Sequence, residues 1–209
     1  MKALITGGSR GIGFAIKQKF ISEGHTVFAP TRAELDLNNN INLVNKEFDI
    51  VVNNAGINPL SSILDMPKEV MQVNYFAPLQ IIQQCLPYMI ECGYGRIVNI
   101  GSIWIELSKA KRAAYSASKS ALDSLSRSIT AEYSHHNILC NTVSPGFVAT
   151  DLTYQNNTEV ELNKKIQSVP LKRLGKPEEI ADLVYYLTVQ NSFITGQNII
   201  IDGGYSCTI

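Results

Sequence analysis

At 209 residues the chain can bury one sizeable core but leaves little room for a separate substrate domain, so its loops must read any ligand. Eighteen basic residues balance eighteen acidic ones with no long block of either sign. That balance argues against nucleic acid or a membrane surface as partner and leaves a small molecule. The four cysteines, Cys85, Cys92, Cys140 and Cys207, form no CxxC pair and no cluster with His25, His135 and His136. Neither a disulfide framework nor a metal site is expected, and a reducing cytoplasm is the natural setting.

In chain order, residues 2–6 read as a strand entering a glycine turn, so no export signal is expected ahead of them. No later apolar run reaches bilayer length. Residues 11–23 carry helical spacing and residues 25–29 read as a second strand. Residues 31–48 hold only Leu35-Asp36-Leu37 as a possible strand, followed by a loop at Asn38-Asn39-Asn40-Ile41-Asn42. Strands then follow at 49–53, 95–100, 139–144 and 198–201, alternating with helical patterns at 67–91, 113–133 and 177–189. Leu122, Leu125 and Ile129, for example, mark one face of the helix at 113–133. This alternation predicts a single α/β domain over residues 1–209: a doubly wound parallel sheet of Rossmann type with helices on both faces, three layers in all.

The segment Thr6-Gly7-Gly8-Ser9-Arg10-Gly11-Ile12-Gly13 lies between a strand and a helix. Backbone N–H groups there can hold a pyrophosphate, and glycines permit close approach. The same turn could serve ordinary strand-to-helix packing, and its spacing is not that of GxGxxG. The second strand runs out at Pro30-Thr31-Arg32 without the carboxylate that would accept the ribose hydroxyls of NAD. Arg32, with Arg10, instead suits a 2′-phosphate, so NADP(H) is predicted over NAD(H); the alternative is two solvated arginines.

In Tyr115-Ser116-Ala117-Ser118-Lys119 a four-residue step stacks a phenol and an ammonium on one helical face. A free phenol titrates near pH ~10, so acid/base work at neutrality needs a neighbouring cation, which Lys119 can supply. Ser102 follows the strand at 95–100, where doubly wound sheets place their ligands, and its hydroxyl can either donate to a carbonyl oxygen or cap a turn.

Together these residues resemble the short-chain dehydrogenase/reductase family, single-domain branch, similar to 3-oxoacyl-acyl-carrier-protein reductases. The motifs are TGxxxGxG at Thr6 to Gly13, NNAG at Asn53 to Gly56, Ser102, YxxxK at Tyr115 to Lys119, and Pro145-Gly146. The likeness continues through Arg173-Leu174-Gly175 and Thr195-Gly196-Gln197 to Asp202-Gly203-Gly204. It implies hydride transfer between a nicotinamide and a ketone or secondary alcohol. Ser102 would orient the carbonyl, Tyr115 would move the proton, and Lys119 would bind the nicotinamide ribose and lower the phenol's pKa. Asn74 would hold a water in a proton relay. The cofactor would meet Gly7, Ser9, Arg10, Gly11, Ile12, Gly13, Arg32, Asp36, Leu37, Asn53, Ala55, Gly56, Pro145, Gly146 and Thr150, besides Tyr115 and Lys119. A homo-oligomer, dimer or tetramer, is also implied by resemblance.

The chain departs from the family between Arg32 and Phe48, where a crossover helix and a fuller third strand are usual. We expect the helix to be lost, the chain to pass almost directly into a strand at Asp36-Leu37, and the adenine pocket to open. The asparagines at 38–42 are expected to carry no function. The substrate wall is expected from Ile103-Trp104-Ile105-Glu106, Phe147 and a mobile stretch at 152–165, with Trp104 either stacking on a substrate ring or packing in the core. The three histidines are assigned no chemistry. The competing readings are a sugar-nucleotide epimerase, which shares YxxxK but needs a different glycine motif, and a non-catalytic NADP(H)-binding sensor or scaffold.

Overall fold

Continuous runs of β-branched residues become strands buried on both faces, as a parallel sheet requires. In the computed structural model, which describes residues 1–155 and 157–208, these are β1 (Lys2–Ile5), β2 (Thr26–Phe28), β3 (Ile50–Asn53), β4 (Gly95–Ile100), β5 (Ile138–Pro145) and β6 (Asn198–Ile201). They form one parallel sheet in the order β2-β1-β3-β4-β5-β6. Strands β3, β4 and β5 are buried throughout, whereas the edge strands β2 and β6 keep exposed positions.

Because alternate residues of a strand face opposite ways, Ala3 and Ile5 serve one layer and Leu4 the other. The first layer packs under α1 (Gly11–Ser22) and α7 (Pro177–Tyr185) through Ile16, Phe20, Ile180 and Val184. The second packs under α3 (Ala77–Cys92) and α4 (Ala113–Tyr133) through Ile81, Cys85, Met89 and Ile129. Each fully buried apolar side chain contributes about 1.5–3 kcal/mol. The helical pattern at 67–91 is realised in three pieces: α2 (Glu69–Met71), a π-helical turn Gln72–Phe76, and α3. A second π turn, Tyr186–Gln190, continues α7.

Between β2 and β3 no helix forms, as expected, but the expected strand at Leu35-Asp36-Leu37 does not form either. The segment turns there, and β2 remains the edge of the sheet. The physical reason is that Leu37, Ile41, Leu43 and Phe48 all point into the α3 layer, so the stretch works as an apolar lid in place of a helix. Glutamines of α3 brace it. Gln80 Oε1 accepts from Ile41 N at 2.8 Å, and Gln84 both accepts from Leu43 N at 2.9 Å and donates to Ile41 O at 2.8 Å. Gln72 Nε2 donates to Leu37 O at 3.3 Å. The backbone of a segment without secondary structure is thereby paired by side chains.

No helix among the described residues is long and apolar enough to cross a membrane. No group of His, Cys, Asp and Glu among them could hold a metal ion.

Candidate active site

A cavity of about 810 Å³ opens along the carboxyl ends of β3, β4 and β5, the edge at which open parallel sheets take their ligands. Asn54, Ser102 and Pro145-Gly146, each just past or at the end of one of these strands, line it together with Tyr115 and Lys119 of α4.

The glycine turn is closed by contacts that admit no side chain. A Cβ on Gly13 would lie 2.2 Å from Gly7 O, and one on Gly7, whose φ is +69°, would lie 2.9 Å from Asn54 Nδ2. Asn54 ties the turn to β3: its Nδ2 donates to Thr6 O at 3.0 Å, while Thr6 Oγ1 accepts from the backbone N–H groups of Asn54 and Ala55 at 3.1 Å each. Arg10, at the start of α1, and Ile12 reach the cavity wall, and Thr150 lies beside the turn, 3.3 Å from where a Gly11 Cβ would stand. Ser9 is exposed at the turn's tip. Backbone N–H groups, a helix start and a cation therefore meet at one end of the cavity, which fits a pyrophosphate.

Four sequence-predicted residues fall elsewhere. Asn53 turns its amide into the protein, donating to Asn99 Oδ1 at 2.8 Å, because strand alternation sends Asn53 inward while Asn54, which the sequence reading passed over, faces the turn. Leu37 is buried in the α3 layer. The Asp36 carboxylate accepts from Asn38 N at 3.1 Å and pairs with Arg32 at 3.5 Å; those bonds to Asn38 hold it below the usual carboxylate range. Arg32 itself projects into solvent.

The predicted reacting groups converge. Ser102 Oγ accepts a long bond, 3.3 Å, from Trp104 N, which leaves its hydroxyl proton free to donate. Burial pushes the Tyr115 phenol above its ordinary value, while the Ser102 hydroxyl and the Arg112 guanidinium pull it back down. Lys119 Nζ donates to Ile100 O at 2.6 Å and stands 5.8 Å from the Tyr115 ring centre. Burial lowers its pKa to about 8. Asn74, fully buried in the π turn, accepts from Ile57 N and donates to Ile57 O, both at 2.9 Å, and donates to Ser118 Oγ at 3.0 Å. Gly56 lies between it and the lysine: a Cβ there would be 3.1 Å from Asn74 Oδ1 and 3.5 Å from Lys119 Nζ. A π turn that aims one side chain at such a cluster is a common device of functional sites.

On the far wall, Trp104 and Phe147 meet edge-on with ring centres 6.5 Å apart. Trp104 thus lines the cavity, whereas its neighbour Ile103 is core. The stretch expected to be a mobile loop folds as α5 (Asp151–Gln155) and α6 (Glu159–Ser168), the latter closed by a Thr158–Glu161 capping box; Asn156 and the Leu152 side chain lie outside the described residues. Among the wall residues that had not been singled out are Asn58, Lys109 and Arg112. Arg112 immediately precedes α4, where nothing local in the sequence marks it as a wall residue.

The family profile described as enoyl-(acyl carrier protein) reductase matches residues 36–206. A 3-oxoacyl-[acyl-carrier-protein] reductase of Aquifex aeolicus is 35% identical, over 97% of this chain and 96% of its own. A solved short-chain dehydrogenase/reductase family protein superposes with a TM-score of 0.89 at 28% identity, over 99% of this chain and 97% of its own. A 4-hydroxyisoleucine dehydrogenase complexed with NADH superposes with a TM-score of 0.86 at 29% identity, over 100% of this chain and 99% of its own.

Proposed function

Since the chain belongs to the short-chain dehydrogenase/reductase family, nicotinamide-dependent oxidoreductases acting on C=O and CH–OH groups, we propose that it is an NADP(H)-dependent ketone reductase or secondary-alcohol dehydrogenase with Tyr115 as its acid/base. The observation that carries this reading is the convergence of Ser102, Tyr115 and Lys119 on one cavity whose other end is the glycine turn. The bound nicotinamide supplies or accepts the hydride.

The chain's own residues do the rest. The Ser102 hydroxyl donates to the carbonyl oxygen, and Tyr115 delivers its phenolic proton to the same oxygen as charge develops there. Lys119 holds a cation beside the phenolate that forms, and Asn74 fixes the backbone at Ile57 and Gly56 against which the lysine rests. Gly7, Ser9, Gly11, Ile12, Gly13 and Thr150 hold the pyrophosphate, with Ala55, Gly56, Pro145 and Gly146 against the rest of the cofactor. Backbone atoms of Asp36 and Leu37 are left to meet the adenine. The substrate is a ketone or secondary alcohol, and the family likeness makes 3-oxoacyl thioesters and keto-sugars the first classes to try. The protein works as a homo-oligomer, dimer or tetramer, in the cytoplasm.

Preference for NADP(H) rests on Arg10 and Arg32 and on the absence of a carboxylate at the end of β2. The Arg32–Asp36 pair is exposed, so it is worth little and yields readily to a 2′-phosphate. The test is equilibrium binding of NADPH and NADH with turnover of a ketone panel that includes a 3-oxoacyl thioester and keto-sugars. Tighter binding of NADPH is expected, with Arg32→Ala narrowing the difference by roughly tenfold; equal binding before and after the substitution would contradict the preference. The non-catalytic sensor reading leaves the converged hydroxyl, phenol and ammonium without a purpose.

A further inference from the structure

Five cations line the cavity, Arg10, Lys109, Arg112, Lys119 and Lys165, against one carboxylate, Glu69. Arg10 belongs to the glycine turn and Lys119 to the reacting cluster. The other three stand around the aromatic wall. Lys109 Nζ lies 5.7 Å from the Trp104 ring centre and Lys165 Nζ 5.6 Å from that of Phe147. Arg112 stands immediately before α4, three positions ahead of Tyr115.

None of these three makes an ion pair among the described residues. Lys165 donates to Asn157 Oδ1, a neutral acceptor. Arg112 Nε and Asn58 Oδ1, both on the wall, are buried without a hydrogen-bond partner among the described residues. Crowding of like charge is felt within the cluster: burial, then Lys109 and Arg112, push the Lys165 ammonium below its ordinary value, with Glu161 opposing them. Buried polar atoms almost always find a partner, so the orphaned Arg112 Nε and Asn58 Oδ1 point to a ligand that completes this wall.

We propose that the substrate carries a carboxylate, held by the Arg112 guanidinium with Lys109 and Lys165 closing over it, so that this enzyme reduces small oxo acids or oxidises the corresponding hydroxy acids. The guanidinium fork matches a carboxylate in two parallel bonds. Arg112 and Tyr115 line the same cavity, so a carboxylate held there lies beside the reacting carbonyl. The inference rests on the oxidoreductase reading for its chemistry, in which the ketone is reduced and the nicotinamide oxidised, but its recognition step can be measured without turnover.

The experiment uses the full chain saturated with oxidised NADP⁺, which cannot reduce a ketone. Binding of 4-oxopentanoate and of its uncharged methyl ester is followed through quenching of Trp104, the single tryptophan and itself on the wall. The acid is expected to bind at least about tenfold more tightly than the ester, and raising the salt concentration should weaken the acid and leave the ester unmoved. Arg112→Gln should abolish that discrimination and Arg112→Lys should restore part of it. Equal affinities for acid and ester in the wild-type protein would overturn the inference. So would an Arg112→Gln effect that falls on nucleotide affinity, or one confined to turnover of a thioester borne on an acidic carrier protein, which would make the cluster a nucleotide or carrier contact. Selective binding of the acid with no nicotinamide oxidised on any ketone would uphold the carboxylate site and remove the proposed activity.

Discussion

Lys119 sits where a cation is costly to keep. Its ammonium is buried with a single backbone acceptor, Ile100 O, and burial lowers its pKa from 10.5 to about 8. Between those two pH values the unfolded chain binds a proton that the folded chain does not, so stability rises with pH across the window. Below it, both states are charged and the folded state bears the whole penalty, on the order of 3 kcal/mol. Lys119→Met should therefore raise the melting temperature at pH 7 by several degrees while removing turnover, and the gain should shrink as pH climbs toward 10.5. Thermal melts across this range check it; an unchanged or lower melting temperature at pH 7 would refute the burial account. Such a gain would mark the lysine as a residue retained for chemistry at the expense of stability.

Single residues also show where the sequence was readable. Ser102, Tyr115 and Lys119 could be found because their spacing along one chain segment or one helix face states their chemistry. Asn54 and Asn53 could not be told apart, since both belong to the same motif and only the strand's alternation sends one to the turn and the other to Asn99. Arg112 escaped because nothing local marks an arginine as lining a cavity.

At the scale of elements, the segment from Thr31 to Phe48 joins β2 to β3 without a helix or a strand. It covers the sheet without a helix because four apolar side chains reach the α3 layer and the glutamines of α3 satisfy its backbone. Gln84 serves two backbone groups and Gln80 one. Gln84→Ala should thus cost about 1–3 kcal/mol, and more than Gln80→Ala. Urea unfolding with an unchanged slope checks this; equal midpoints for Gln84→Ala and the unsubstituted protein would show that the segment is held by its apolar side chains alone.

That architecture was beyond sequence reading, because the bonding partners lie some forty positions apart: Ile41 and Gln80 are separated by 39 residues. The alternation in Leu35-Asp36-Leu37 imitates a strand, but Leu37 and the apolar residues after it draw the segment over the α3 layer and away from the free edge of β2. The π turns were illegible for a different reason. One extra residue in a helical turn leaves the apolar pattern intact, so residues 67–91 read as a single helix although Asn74 is presented by a π turn. Where burial is continuous and local, by contrast, reading and structure agree closely, as for β4 and α4.

For the whole molecule, strand order decides function. A parallel sheet with helices on both faces gathers its strand ends at one edge, and there the chain has collected a tight glycine turn, a buried ammonium, a hydroxyl and a phenol. The account stands on Tyr115 as the group that moves the proton. The direct measurement is oxidation of NADPH in the presence of a ketone substrate, with NADPH affinity, for the wild-type chain and Tyr115→Phe. We predict a loss of about 10²–10⁴-fold in kcat with nucleotide affinity unchanged. A variant that retains the wild-type rate would contradict the account.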